Sequence, residues 1–208
     1  YNSIAFDDEY TRHILFRNFL YPYSWHWQHG NSRWDILSVA RFCYAHKERD
    51  SLNWVKNEKN RPIFKLDNLA PPNNIEHSNA LDAMADVRAT IGIASIIKNT
   101  QPKFFEYALS LRNKKEVENL INLFYPMLLT NSSFGYKSSF TRLVTAICYH
   151  PDYSDRAIVF NLNQDPEMLL ELDTEELKKL TFTRKSDLPK GIEKLDLNEV
   201  VFNKSPMF

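Results

Sequence analysis

Glycine occurs only four times in this chain, at Gly30, Gly92, Gly135 and Gly191. Glycines so far apart build neither the G-x-G-x-x-G turn of a dinucleotide-binding unit nor the G-x-x-x-x-G-K-[ST] loop that wraps phosphates. A Rossmann site and a P-loop are therefore excluded. The 208 residues suffice for one large domain or two small ones, with a sizeable core. Lys+Arg and Asp+Glu each number 26, so the formal net charge is zero. That balance argues against bulk adhesion to nucleic acid or membrane, and leaves a local basic groove open. Hydrophobic residues at 43% and charged residues at 25% mark a folded chain rather than a disordered one. Cys43 and Cys148 are the only cysteines and form no C-x-x-C, which speaks against a zinc ribbon or disulfide scaffold. A reducing, cytoplasmic setting is expected. No apolar run approaches the roughly 18 residues of a membrane span. The chain opens Tyr1-Asn2-Ser3 without Met, basic n-region or apolar h-region. No signal peptide is expected, and the chain reads as cut from something longer.

The first half reads as helices joined by polar, aromatic loops. Asp8 and Glu9 followed by Arg12, His13 and Arg17 suit a helix dipole. Ile36, Val39, Ala40, Cys43 and Tyr44 follow helical spacing, with Asp35 in the first turn. The polar stretch 47–61 reads as an exposed loop. A short helix begins at Phe64-Lys65-Leu66 and stops before Pro71-Pro72. The strongest helix is expected over 79–98, capped by Ser78 or Asn79, with Met84, Val87, Ile91 and Ala94 as its apolar stripe. A domain boundary is placed near Thr100-Gln101-Pro102. Residues 104–123 continue helical, and from Met127 the texture turns to strands. Residues 142–149 and 157–162 are β-branched and aromatic, and 199–202 closes the set. Asp173 and Glu176 form a capping-box pattern for a helix with Leu177 and Leu180 inward.

Three features carry candidate chemistry. In Asn2-Ser3-Ile4-Ala5-Phe6-Asp7-Asp8-Glu9 the acids read either as an ordinary helix start or as a carboxylate held to bind a metal. Asp82 and Asp86 share a helix face. Asp82 reads as a cap, whereas Asp86 sits among apolar residues, where a carboxylate needs an ion pair or a metal. The stretch 21–34 interleaves Tyr21, Tyr23, Trp25, Trp27 and Trp34 with His26, His29 and Arg33. It reads as core rings or as a stacking platform for single-stranded nucleic acid, worth about 1–3 kcal/mol per base. His26 and His29 have no third ligand nearby in sequence. No G-x-S-x-G occurs, so a serine nucleophile elbow is absent.

Together these words resemble a known family. Asn2-x-x-x-Phe6-Asp7 is similar to the second motif of the DEDDh 3′→5′ exonucleases, and Leu81-Asp82-Ala83-Met84-Ala85-Asp86 to their third, H-x4-D. The flanking words resemble bacterial exodeoxyribonuclease I: Phe6-Asp7-Asp8-Glu9, Trp27-Gln28-His29, Asn31-Ser32-Arg33-Trp34-Asp35 and Ile75-Glu76-His77-Ser78-Asn79-Ala80. So do Arg112-Asn113-Lys114, His150-Pro151 and Leu169-Leu170-Glu171-Leu172-Asp173. The resemblance covers essentially the whole chain. It implies an α/β fold: a partial RNase H-like exonuclease domain, mostly its helical part, over 1–100, then a small β-rich SH3-like domain with inserted helices over 101–208. It implies 3′→5′ hydrolysis of single-stranded DNA to mononucleotides in repair and recombination, by two Mg²⁺ ions and a histidine base. Asp7 and Asp86 would be the catalytic, metal-holding carboxylates. DNA contacts would fall at Arg12, Tyr23, Trp27, Arg41, Lys65, Tyr107, Asp155 and Asn198. The implied partners are single-stranded DNA with a 3′ end and single-stranded DNA-binding protein, for a monomer with no membrane.

Two departures stand beside the matches. The first motif, a D-x-E on a strand well before the second motif, has no counterpart ahead of Asn2 in these 208 residues, and the family's helical third domain is missing as well. Leu81 occupies the position of the general-base histidine, and leucine accepts no proton. Loss of such a base costs about 10²–10⁴-fold in rate. His77, four residues earlier, is expected to point elsewhere. The chain as given is therefore expected to be inactive as a nuclease. The alternatives are a non-catalytic single-stranded DNA-binding module and a decayed fragment.

Overall fold

The computed structural model describes residues 1–46, 51–77 and 82–208. Two compact units emerge. The first comprises 1–120 together with 130–141 and 202–208; the second comprises 121–129 and 142–201.

The first unit is helical: α1 (Asp7–Arg17), α2 (Ile36–Ala45), α3 (Leu66–Leu69), α4 (Ala83–Thr100), α5 (Pro102–Ser110) and α6 (Lys114–Leu120). Local chemistry sets most of the boundaries. Asp35 caps α2, its Oδ1 accepting from Leu37 N at 2.9 Å, and α2 buries Ile36, Val39, Ala40 and Cys43 as its periodicity requires. Pro71 ends α3. Pro102 opens α5 at its first turn, where the missing N–H costs nothing. The stretch 104–123 forms two helices rather than one because the chain turns at 111–113, where Asn113 Oδ1 accepts from Lys115 N at 3.0 Å at the start of α6.

Helix α4 departs from the sequence expectation in two ways. It starts at Ala83, with Asp82 as N-cap accepting from Met84 N at 3.0 Å. The expected caps Ser78 and Asn79 lie outside the described residues. The buried stripe is Ala89, Ile93 and Ile97, packed against α2, α3 and α5, while Met84, Val87 and Ile91 are exposed. Both stripes are apolar, and periodicity alone does not choose between them. Gly92 lies on this helix against Ile75. A Cβ there would sit 2.9 Å from Ile75 Cδ1, so glycine allows the 75–77 segment to close on α4.

A buried ion pair ties the start of α1 to distant parts of this unit. Arg33 Nη1 donates to Asp8 Oδ2 at 2.8 Å, and Nη2 donates to the carbonyl of Asn203 at 2.8 Å. The Ser205 hydroxyl donates to the carbonyl of Arg33 at 2.7 Å. The terminal turn Phe202–Lys204 also packs on α6.

The second unit holds a four-stranded sheet in the order β1-β2-β3-β4, from β1 (Pro126–Thr130), β2 (Thr141–Tyr149), β3 (Arg156–Asn161) and β4 (Leu197–Val201). The β2/β3 and β3/β4 pairs are antiparallel, with an irregularity between Ala146 and Cys148. Val144, Ala146, Ala157, Val159 and Val200 form its core. Between β3 and β4 lie α7 (Glu167–Glu171) and α8 (Thr174–Phe182). The α8 capping box is complete: Asp173 Oδ1 accepts from Glu176 N at 2.9 Å and Glu176 Oε2 from Asp173 N at 3.1 Å. The α/β class and the order of a helical part before a β-rich part match the expectation. No helix among the described residues is long and apolar enough to cross a membrane.

Candidate functional site

The start of α1, helix α2, the Pro62–Asp67 segment and the outer face of α4 enclose a cleft of about 1060 Å³. Four of the sequence-selected residues line it: Asp7, Arg41, Lys65 and Asp86. Asp7 and Asp8 are neighbours with opposite roles. Asp8 is buried in the Arg33 pair, and Asp7 stands exposed at the cleft. Val87, Ile91 and Phe64 give the same cleft apolar walls.

The cations are held differently. Arg41 is half-buried on α2, with its guanidinium 5.8 Å from the Phe64 ring centroid. Burial draws its pKa below the ordinary range, and the nearby Tyr1 and Asp35 act in the opposite sense. The Tyr1 hydroxyl donates to the carbonyl of Phe64, and burial pushes that phenol up. Lys65 is exposed, and its Nζ pairs with Asp67 Oδ2 at 2.6 Å. That bond raises the lysine and lowers the aspartate.

On the acidic wall, His77 was expected to point elsewhere and does not. Its Nε2 lies 3.0 Å from Asp86 Oδ1 and 3.5 Å from Asp67 Oδ1. Asp67, His77 and Asp86 form the one group of three or more potential metal donors among the described residues, with all three donor atoms within 4.8 Å of one another. Asp7 is outside that group. Sequence reading missed Asp67 and the approach of His77, because a loop closing on α4 brings them together. Gly92 opposite Ile75 was the available signal. Leu81 lies outside the described residues.

A second, smaller cleft of about 550 Å³ is lined by His26, Trp27, Arg33, Arg112, Lys114 and Asn203, among others. The aromatic stretch divides here. Trp25 and Trp34 donate their indole N–H groups to the carbonyls of Pro22 and Ala108 and are structural. Tyr21, Tyr23 and Trp27 are exposed, Trp27 to 56%. The Arg12 guanidinium sits 5.8 Å from the Tyr23 ring centroid. Among the described residues, buried His26 Nδ1 has no hydrogen-bond partner, and its pKa is lowered by burial and then by Arg33.

The remaining selected residues are not among those that line the two clefts. Tyr107, on α5, packs beside Phe42. Asp155 and Asn198 belong to the second unit, where Asp155 accepts from Arg156 Nε at 3.1 Å and Asn198 Nδ2 donates to Asp196 at 2.9 Å.

The chain is similar to known proteins in sequence and in fold. Residues 112–208 match the family described as the Exonuclease I SH3-like domain. The chain is 44% identical over 190 residues to exodeoxyribonuclease I of Escherichia coli K12, which covers 90% of this chain and 40% of that relative. A crystal structure of E. coli exonuclease I in complex with a dA16 oligonucleotide matches with a TM-score of 0.94 and 42% identity, covering 99% of this chain and 44% of that one. An ExoI/SSB-Ct complex matches with a TM-score of 0.91 and 41% identity over the same shares. The chain thus spans less than half the length of the relatives it matches.

Proposed function

We propose that this chain, a relative of exodeoxyribonuclease I over nearly all of its length, is the strand-holding and metal-facing portion of a 3′→5′ exonuclease for single-stranded DNA. The observation that carries the reading is the single cleft onto which Asp7, Arg41, Lys65 and Asp86 converge. Cations beside carboxylates suit a phosphodiester, because they hold the phosphate while the acids hold a metal against it. In the proposed division, residues 1–100 belong to the exonuclease domain and 101–208 to the SH3-like domain. Single-stranded DNA with a 3′ end is the proposed substrate and single-stranded DNA-binding protein the proposed partner, in a cytoplasmic monomer serving DNA repair.

Asp7 and Asp86 would hold Mg²⁺, for which hard carboxylate oxygens are fitting ligands. Bound there, the ion would act as a Lewis acid on the scissile phosphate. The protein's own part is positional. Arg41 and Lys65 neutralise and orient the phosphate, and the apolar wall of Val87 and Ile91 limits water. Trp27, Tyr23 and Arg12 offer a stacking and charge surface for the strand. Leu81 in place of a base favours a chain that binds the strand far better than it cuts it.

Anisotropy of a fluorescent single-stranded oligonucleotide in EDTA tests the reading. Binding should weaken with salt, with log K falling against log [salt] at about 0.7 per phosphate neutralised. Arg41→Ala and Lys65→Ala should each lower that slope by about 0.7. Unchanged slopes in both variants would remove the cleft from the strand's path.

A further inference from the structure

The histidine on the acidic wall has a role that strand binding does not supply. The His77 side chain is fully buried, at 0% exposure. Among the described residues neither of its ring nitrogens has a partner in hydrogen-bond geometry. A buried imidazole without a hydrogen bond is costly. Yet Nε2 is aimed between two carboxylate oxygens, at 3.0 Å from Asp86 and 3.5 Å from Asp67.

Those two separations have the size of the edges of a coordination polyhedron, and the third, between the two carboxylates, is within 4.8 Å. With metal–ligand distances of about 2.0–2.2 Å, neighbouring ligand atoms lie about 3.0 Å apart in an octahedron and about 3.4 Å apart in a tetrahedron. Lys65 occupies only Oδ2 of Asp67, so Oδ1 stays turned to the histidine. The three residues come from three places: the α3 turn, the segment that Gly92 admits against α4, and α4 itself. The imidazole is buried, whereas the two carboxylates are partly exposed.

We propose that Asp67, His77 and Asp86 form a mixed nitrogen–oxygen centre that takes one Zn²⁺-class cation in preference to Mg²⁺. Imidazole suits Zn²⁺ and Co²⁺, whereas Mg²⁺ selects oxygen ligands and keeps its waters. Two carboxylates and one imidazole leave a coordination position for water or a phosphate oxygen, the pattern of an open site. The proposal shares Asp86 with the strand-binding reading but does not depend on DNA.

The test is titration of the whole chain, free of DNA, with Zn²⁺, Co²⁺ and Mg²⁺. Zn²⁺ should bind with one-to-one stoichiometry by calorimetry, and Co²⁺ should develop visible d–d bands of a nitrogen-ligated ion. His77→Ala should weaken Zn²⁺ at least about tenfold while leaving Mg²⁺ within about twofold. Asp67→Asn, which keeps size and lies at a partly exposed position, should weaken Zn²⁺ with an unchanged thermal transition. His13→Ala, on the exposed face of α1, should change neither metal. Equal Zn²⁺ affinity in wild type and His77→Ala, or no Zn²⁺ binding by the wild type, would overturn the centre. Strand affinity in EDTA is read separately, so failure here is distinct from failure of the strand-binding reading.

Discussion

Removing one half of the Asp8–Arg33 pair should unfold this chain more readily than any change at the clefts. The two side chains are 7% and 6% exposed, and their charged atoms meet at 2.8 Å. At an effective dielectric near 20, two unit charges at that distance attract by about 6 kcal/mol before desolvation is subtracted. Asp8→Ala leaves the guanidinium buried with, among the described residues, the neutral Asn203 oxygens at 2.8 and 3.1 Å to receive its charge. Breaking a buried pair on one side costs about 3–5 kcal/mol. For a chain of this size that lowers Tm by roughly 6–20 °C. Removing both charges, in Asp8→Leu with Arg33→Met, should recover much of that loss, because no uncompensated charge remains. Circular dichroism melts of wild type, Asp8→Leu, Arg33→Met and the double variant complete a cycle whose coupling energy isolates the pair. A loss below about 1 kcal/mol for Asp8→Ala would mean that the pair behaves as a solvated one, and the burial argument would fail.

Other outcomes are equally specific. Trp27→Ala should weaken single-strand binding by about 1–3 kcal/mol in an anisotropy titration without lowering Tm, since the ring is exposed; unchanged affinity removes it from the platform. His26 has a lowered pKa, so below its ordinary value near 6.5 the unfolded chain takes up a proton that the folded chain resists. Stability should therefore fall as pH drops from 7.5 to about 5.5. His26→Gln should flatten that fall in parallel melts, and an identical slope would refute it. Asp173→Ala breaks both bonds of the α8 capping box and should cost about 1 kcal/mol, read as a shift in urea midpoint. In a full-length parent carrying D-x-E, Leu81→His should raise mononucleotide release by about 10²–10⁴-fold. No gain would show that position 81 is not the base's place.

What the sequence made legible is what short-range chemistry decides. Asp173 acts as a cap within three residues of its partner, and the strands after Met127 declare themselves by β-branched runs between prolines; Asp35, expected inside the first turn of a helix starting near Ser32, is instead the N-cap of α2, which starts at Ile36. The acidic and cationic residues that line the larger cleft were legible one at a time through family words, not as a cleft. Three things escaped. Asp7 and Asp8 are chemically identical in sequence, and only the distant Arg33 decides which one is buried. The two apolar stripes of α4 are equivalent to periodicity, and packing on α2, α3 and α5 selects Ala89, Ile93 and Ile97. The exposed stripe is then free to wall the cleft through Val87 and Ile91. His77 was judged by helical spacing from Leu81 and Asp86, yet it precedes the helix and approaches Asp86 from a neighbouring segment. Local spacing predicts local faces. A donor set drawn from a turn, a loop and a helix depends on long-range closure, and here one glycine against one isoleucine marks where that closure happens.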